Sequence, residues 1–457
     1  MQSLPSQLLS NLNLLTHFNE EAFVEAHHPE NKITSIRLNP FKPVELDIEI
    51  NDNVKWCEQS YYLTNRPSFT LDPLFNAGCY YVQEAGSLFL EHILKSVLNF
   101  SADLKVLDLC AAPGGKSTLI NSLLTKTSLL VANEFIKSRA DVLAQNLSKW
   151  GGANTIVTNN DPSKFTQLQN YFDAIVVDAP CSGSGLFRKQ PDAINEWNVD
   201  NVAKCSIRQK NILTEIISSL KQNGFLIYST CSYSVEENEE IVNWLIKEHH
   251  LSYVKIPINN NWGIVETEAG YRFYPHLTKS EGFFCAVLQK QGYENLTQRY
   301  TKNKSSDVSK NESIILEKFI EKGENQFIKK NNQFHFLNTE VLNFLTVFEK
   351  QFYFKKAGIC VGEIKGQDLI PNQELAWCNY IKSSVNTLEV DKKTALQYLR
   401  KESFDSTHPS EPSEREGVKL GLHLITYKNY GLGWAKLLPN RINNYLPNEL
   451  RILKKEN

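Results

Sequence analysis

The chain has 457 residues, 41% of them hydrophobic and 22% charged, with a net charge of −2, which is the make-up of a soluble globular protein of two to three domains. No apolar run reaches the ~18 residues of a membrane span, and Met1-Gln2-Ser3-Leu4-Pro5 lacks the basic and apolar stretches of a signal peptide. Nine cysteines without paired spacing, and His27-His28 and His249-His250 without ligand companions, exclude a disulfide framework and a structural zinc and predict a reducing, cytoplasmic setting.

In chain order, Leu8, Leu9, Leu12 and Leu15 recur at helical spacing and predict an amphipathic helix. Residues 34–40 predict a short strand ended by Asn39-Pro40, with Arg37 and Asn39 either exposed strand-end residues or phosphate contacts. An apolar helix follows over residues 85–94. The run 104–109 predicts a buried strand. It breaks at Cys110-Ala111-Ala112-Pro113-Gly114-Gly115-Lys116 and resumes as a helix over 117–124, bringing bare backbone donors to a ligand. Strands over 129–133 and 154–158 end at Glu134 and near Asn160-Asp161, with a strong helix over 137–150 between them.

The next strand, 172–177, is apolar enough to be buried on both faces. It delivers Asp178 and Cys181, three residues apart, to its carboxyl end, the edge of an open α/β sheet where ligands bind. Pro180 stops the ladder there, and Gly183 and Gly185 let the backbone turn and approach a ligand. Cys181 at this point is either a nucleophile or a buried structural thiol. A helix over 202–220 and a fifth strand over 224–231 come next. Ser234 with Glu237 predicts a capping box that starts a helix over 235–247, and residues 282–290 predict a late antiparallel strand. Strands alternating with helices mean a doubly wound, Rossmann-like α/β domain over 101–291, behind a small α+β module over 1–100.

Polar sequence over 297–311 predicts a linker, set at 292–315, and 316–457 predicts a smaller β-rich domain with strands at 352–359 and 432–437 and a surface loop at 406–417. From Gln291 onward 25 basic residues face 20 acidic ones, against 24 and 31 before it, so a basic tail on an acidic body hints at a polyanionic partner.

Three cofactors compete for the loop from Cys110 to Lys116. A nicotinamide enzyme would want Gly-x-Gly-x-x-Gly, which is absent. Gly115-Lys116-Ser117 imitates the end of an ATPase phosphate loop, but that motif needs a glycine where Cys110 stands. S-adenosylmethionine suits the pattern better. The loop would hold its methionine end, Glu134 the ribose hydroxyls, Asp161 the adenine amino group, and Asp178 would lie near the sulfonium.

Residues 107–116, then Asp178-Ala179-Pro180-Cys181-Ser182-Gly183-Ser184-Gly185, then Ser229-Thr230-Cys231-Ser232 resemble the RNA cytosine-5 methyltransferases of the Nop/Sun family. Asn39-Pro40 and residues 78–84 also fit that family's N-terminal region, and residues 358–362 and 369–371 are similar to its RsmF-type subgroup. The resemblance implies a class I methyltransferase fold with a PUA-like C-terminal RNA-binding domain. It implies S-adenosyl-L-methionine as cofactor, with Cys110 a wall of that site, and no metal. RNA, 16S rRNA before tRNA, is the implied substrate of a monomeric enzyme. By the same resemblance Cys231 is the nucleophile, Cys181 assists product release, and Asp178 stabilises charge on the base; Lys116 orients Asp178 or contacts RNA. A non-catalytic ribosome assembly factor with the same fold is the rival expectation, although a scaffold needs neither thiol.

Overall fold

A computed structural model describes residues 3–292, 308–403, 419–439 and 441–455. The central sheet is built from β1 (Lys105–Asp108), β2 (Leu129–Asn133), β3 (Thr155–Thr158), β4 (Phe172–Asp178) and β5 (Leu220–Thr230), joined by β6 (Phe283–Lys290) and β7 (Phe354–Ala357). Their order is β6-β5-β4-β1-β2-β3-β7. β1 to β5 run parallel; β7 closes one side antiparallel, while β6 pairs antiparallel with β5 on the other and carries the short antiparallel strands Leu251–Tyr253, Tyr271–Phe273 and Val265–Glu266 beyond it. Near-continuous Val, Ile and Leu in β1, β2 and β4 follow from burial on both faces. β1 lies between β2 and β4, so successive connections leave it in opposite directions and open a crevice at its carboxyl end.

Helices α1 (Gly115–Leu123), α2 (Lys137–Trp150), α3 (Val199–Ile216) and α4 (Glu239–His249) cross between the strands. α2 spans the residues that its periodicity predicts. α1 starts two residues early because Gly114, at φ +112°, takes the left-handed turn that only glycine enters without strain. The predicted capping box does not form. Ser234 makes no side-chain cap bond, Glu237 turns elsewhere, and α4 begins only at Glu239.

The N-terminal module is a four-stranded antiparallel sheet with Ser35–Leu38 inside it. Arg37 and Asn39 are neither exposed nor placed to meet phosphate. Arg37 is 2% exposed, stacks 4.6 Å over the Trp150 ring and donates to Thr118 Oγ1 at 2.6 Å and the Gly115 carbonyl at 3.2 Å. Asn39 Nδ2 donates to the Gly78 carbonyl at 2.8 Å. The module is thereby bolted to α1 and α2.

The C-terminal region holds two further four-stranded sheets. The strand expected at 352–359 belongs instead to the central sheet: β7 pairs with β3, placing Ala357 opposite Ile156. The backbone of Tyr353 exchanges hydrogen bonds with the Asn160 side chain, at 3.0 and 3.1 Å. A helix at Thr339–Phe348 buries Val341, Phe344 and Phe348 in the same core as Ile175 and Leu129. The expected linker is helical in its described part, Lys310–Leu316, where Ser309 and Glu312 form a capping box. Residues 293–307 of that linker and the loop expected at 406–417 lie outside the described residues.

Candidate functional site

Asp178 ends β4 and Thr230 ends β5, in neighbouring strands whose register sets Asp178 beside Ser229. The loops that leave these strands bring Cys181 Sγ within 3.0 Å of Cys231 Sγ. A disulfide needs about 2.05 Å, so both are free thiols in contact. The Cys231 contact, with burial added, pushes the Cys181 thiol well above the ordinary value. Gly183, at φ +75°, turns the first loop. Gly185 brings its backbone N–H to the Cys231 carbonyl at 2.8 Å, and a Cβ there would meet Gly282 O at 2.4 Å.

Asp178 is held from two sides. Ser229 Oγ donates to Oδ1 at 2.7 Å and Lys116 Nζ pairs with Oδ2 at 2.8 Å. Burial alone would pull the Lys116 ammonium down. Asp178, with Asp108 and Cys231 behind it, more than reverses this and leaves it above the ordinary lysine range. A cation fixed on Asp178 therefore stands at the carboxylate and near Cys231.

These groups open on a cavity of about 250 Å³. Cys110, Ala111, Ala112, Pro113, Gly115 and Lys116 line it together with Asp178 and Cys231. Cys181 is not in the lining and reaches the cavity through Cys231. Arg139 and Asn146, on α2, brace the loop by donating to the carbonyls of Ala112 and Pro113, both at 2.8 Å.

The cofactor test turns on polar atoms left without donors. Glu134 is 4% exposed; its Oε1 accepts from Ile136 N at 2.9 Å, while Oε2 has no hydrogen-bond partner and only Arg139 Nη1 at 3.4 Å. Asp108 Oδ2 accepts from Ser117 Oγ at 2.6 Å and Oδ1 has no partner, and burial raises this carboxyl to about 7. Buried acceptors of this kind are costly unless something donates to them. Ribose hydroxyls and an α-ammonium group are such donors, so the residues fit S-adenosylmethionine. Asp161 is placed differently. It is exposed, and its Oδ1 accepts from the hydroxyl and backbone N–H of Ser163, which hold the carboxyl below the usual range.

Two residues at the site escaped the sequence reading. Asp108 stands inside the strand motif, and its chemistry shows only once Oδ1 is seen to be buried. The spacing of Glu237 from Ser234 predicts a helix cap. Glu237 points instead between the cysteine loops, bonding Ser182 and Ser232, the residues that follow Cys181 and Cys231.

Known proteins give the site a context. Family models described as 16S rRNA methyltransferase RsmB/F, N-terminal domain of 16S rRNA methyltransferase RsmF and Methyltransferase RsmF PUA domain match residues 95–289, 4–85 and 385–452. Ribosomal RNA small subunit methyltransferase F of Aeromonas salmonicida is 30% identical over 441 residues, covering 91% of this chain and 90% of that protein. Its counterpart in Shewanella piezotolerans is 29% identical over 415 residues, 87% of this chain and 85% of that protein. A solved methyltransferase homolog from Pyrococcus horikoshii superposes with a TM-score of 0.51 at 25% identity, over 63% of this chain and 100% of its own. The crystal structure of NSun6 from the same organism with SFG, at a TM-score of 0.54 and 19% identity over 63% and 99%, shares the fold.

Proposed function

Because the chain belongs to the 16S rRNA methyltransferase RsmB/F family and is an RNA cytosine-5 methyltransferase, we propose that it methylates small-subunit ribosomal RNA with S-adenosylmethionine through a covalent adduct on Cys231. The observation that carries the chemistry is the thiol pair: Cys231 lines the cavity beside Asp178, and Cys181 stands 3.0 Å behind it.

Bound S-adenosylmethionine supplies an electrophilic methyl group. The loop from Cys110 to Lys116 would hold its amino-acid end together with Asp108, Glu134 its ribose hydroxyls and Asp161 its adenine. Carbon 5 of cytosine is a poor nucleophile. Addition of the Cys231 thiolate to carbon 6 makes carbon 5 enamine-like and able to attack. Asp178 stabilises the charge that develops towards N3 by sharing or donating a proton, with Lys116 holding it in place. After methylation a base must remove the carbon-5 proton so that the carbon–sulfur bond to Cys231 can break, and Cys181, 3.0 Å from Cys231, assists this release. The target base must leave its stack to reach the cavity. The N-terminal module and the PUA-like part of the C-terminal region, 385–452, would grip the flanking RNA through phosphates, which makes affinity fall as salt rises.

Transfer of labelled methyl from S-adenosylmethionine to 16S rRNA tests the reading, with bisulfite sequencing of cellular RNA with and without the protein to find the nucleotide. Label on tRNA alone would replace the substrate, and label on no RNA would favour the assembly-factor reading. Glu134→Ala is expected to weaken S-adenosylmethionine binding in calorimetry by about 10- to 100-fold, the loss of a hydrogen bond to a charged group at ~1.5–3 kcal/mol. Unchanged affinity would remove Glu134 from the cofactor site.

A further inference from the structure

Glu237 is fully buried at the end of the short turn Val235–Glu237, and its hydrogen-bond partners are all neutral. Oε1 accepts from the backbone N–H of Ser182 at 2.8 Å and from Gln209 Nε2 at 3.1 Å. Oε2 accepts from the hydroxyls of Ser182 and Ser232, both at 2.5 Å. The residues before the cysteines are held from the same place. Gln209 Nε2 also donates to the Pro180 carbonyl at 3.0 Å, and Thr230 Oγ1 donates to Asn238 Oδ1 at 2.6 Å. Asn238 Nδ2 closes the knot on the Ser232 carbonyl at 2.8 Å. Each thiol thus sits between two anchored residues, and the anchors of both loops meet at Glu237 and its neighbour.

A carboxylate buried among neutral donors is expensive, because burial works against its charge and raises the Glu237 carboxyl. The start of α4 does not use this group as a cap. What the carboxylate alone supplies is acceptance from both serines at once without a donor of its own.

We propose that Glu237 is a positioning residue that ties the Cys181 loop to the Cys231 loop and so sets the spacing of the two thiols, on the reading that both take part in the reaction. It touches no reacting atom and acts through Ser182 and Ser232. Its negative charge adds to the Cys231 contact and burial in raising the Cys181 thiol.

The test is chemical bridging of the purified protein with dibromobimane, which joins two thiols only when they lie close, with the bridged pair mapped by mass spectrometry. The wild-type protein is expected to bridge Cys181 to Cys231. Glu237→Gln keeps the volume but presents N–H groups to the serine hydroxyls. It should bridge this pair roughly tenfold more slowly and lose on the order of 10²-fold in kcat, the effect of a displacement near 1 Å. Its affinity for S-adenosylmethionine and its KM for RNA should hold within about twofold, a change under ~0.5 kcal/mol. Ser182→Ala, which removes one of the ties, should move in the same direction by less. Normal bridging and normal kcat in Glu237→Gln would overturn the proposal. So would a parallel fall in kcat, cofactor affinity and melting temperature, the signature of a general folding role. Bridging needs no RNA, so an inactive wild-type protein would count against the functional reading and leave the spacing result standing.

Discussion

Cys231→Ala is expected to form no covalent adduct with RNA and to lose methyl transfer by on the order of 10⁴-fold or more, the scale on which enzymes fail when a nucleophile is removed. Cys181→Ala should behave in the opposite way, accumulating an adduct that survives a denaturing gel. The asymmetry follows from position. Cys231 lines the cavity with Asp178, whereas Cys181 meets the cavity only through its sulfur contact with Cys231. Removing Cys231 leaves nothing to add to carbon 6, so no intermediate exists to trap. Removing Cys181 leaves the first addition intact but, on the proposed mechanism, takes away the group that assists release of the methylated product. If Cys181→Ala lost the adduct and Cys231→Ala trapped it, the roles would have to be exchanged. In that case the strand-end cysteine of the Pro180-Cys181 pair would be the nucleophile.

Asp178→Asn is expected to lower the single-turnover rate of methyl transfer by about 10² to 10³-fold, the usual cost of removing a group that stabilises developing charge or moves a proton. The amide preserves the volume and still accepts one hydrogen bond, so the Ser229 contact at 2.7 Å survives and the fold is kept. Two things are lost. The amide can neither share nor donate a proton at N3, and Lys116 faces a dipole where it had a carboxylate at 2.8 Å. Lys116 is then a less certain ammonium, because burial pulls it down and Asp178 is its main opposing charge. A rate within about threefold of wild type, well under the tenfold step of 1.4 kcal/mol, would remove Asp178 from the chemistry.

Motifs were legible because they are local. Buried strands show as unbroken apolar runs, and a small-residue loop between a strand and a helix shows as Ala and Gly, so β1 to β4 and the loop at Cys110 stand close to their expected places. The helix at 202–220 was displaced by three to four residues, to Val199–Ile216, since Asn198 caps it and β5 already begins at Leu220. Arg37 misled because a charged residue in a short strand reads as exposed. Its burial depends on Trp150, 113 positions away, and no local pattern carries that contact. The same holds for β7, which reads as a strand but whose partner β3 is set by tertiary packing.

Glu237 shows the limit most sharply. A Ser three residues before a Glu satisfies the local pattern of a capping box, and the same pattern does form at Ser309 and Glu312. At Ser234 the stronger demand comes from Ser182, on a loop 55 positions earlier.

By itself the sequence determined the α/β class of the central domain, the small-residue loop from Cys110 to Lys116 and the two strand-end cysteines, since each is written in contiguous residues whose polarity and size act over a turn or a strand. Only the tertiary structure decided that those cysteines touch and that one carboxylate ties their loops. Those facts depend on the alignment of β4 with β5 and on packing between segments about 50 residues apart, where hydrogen bonds and burial choose partners that spacing along the chain does not show.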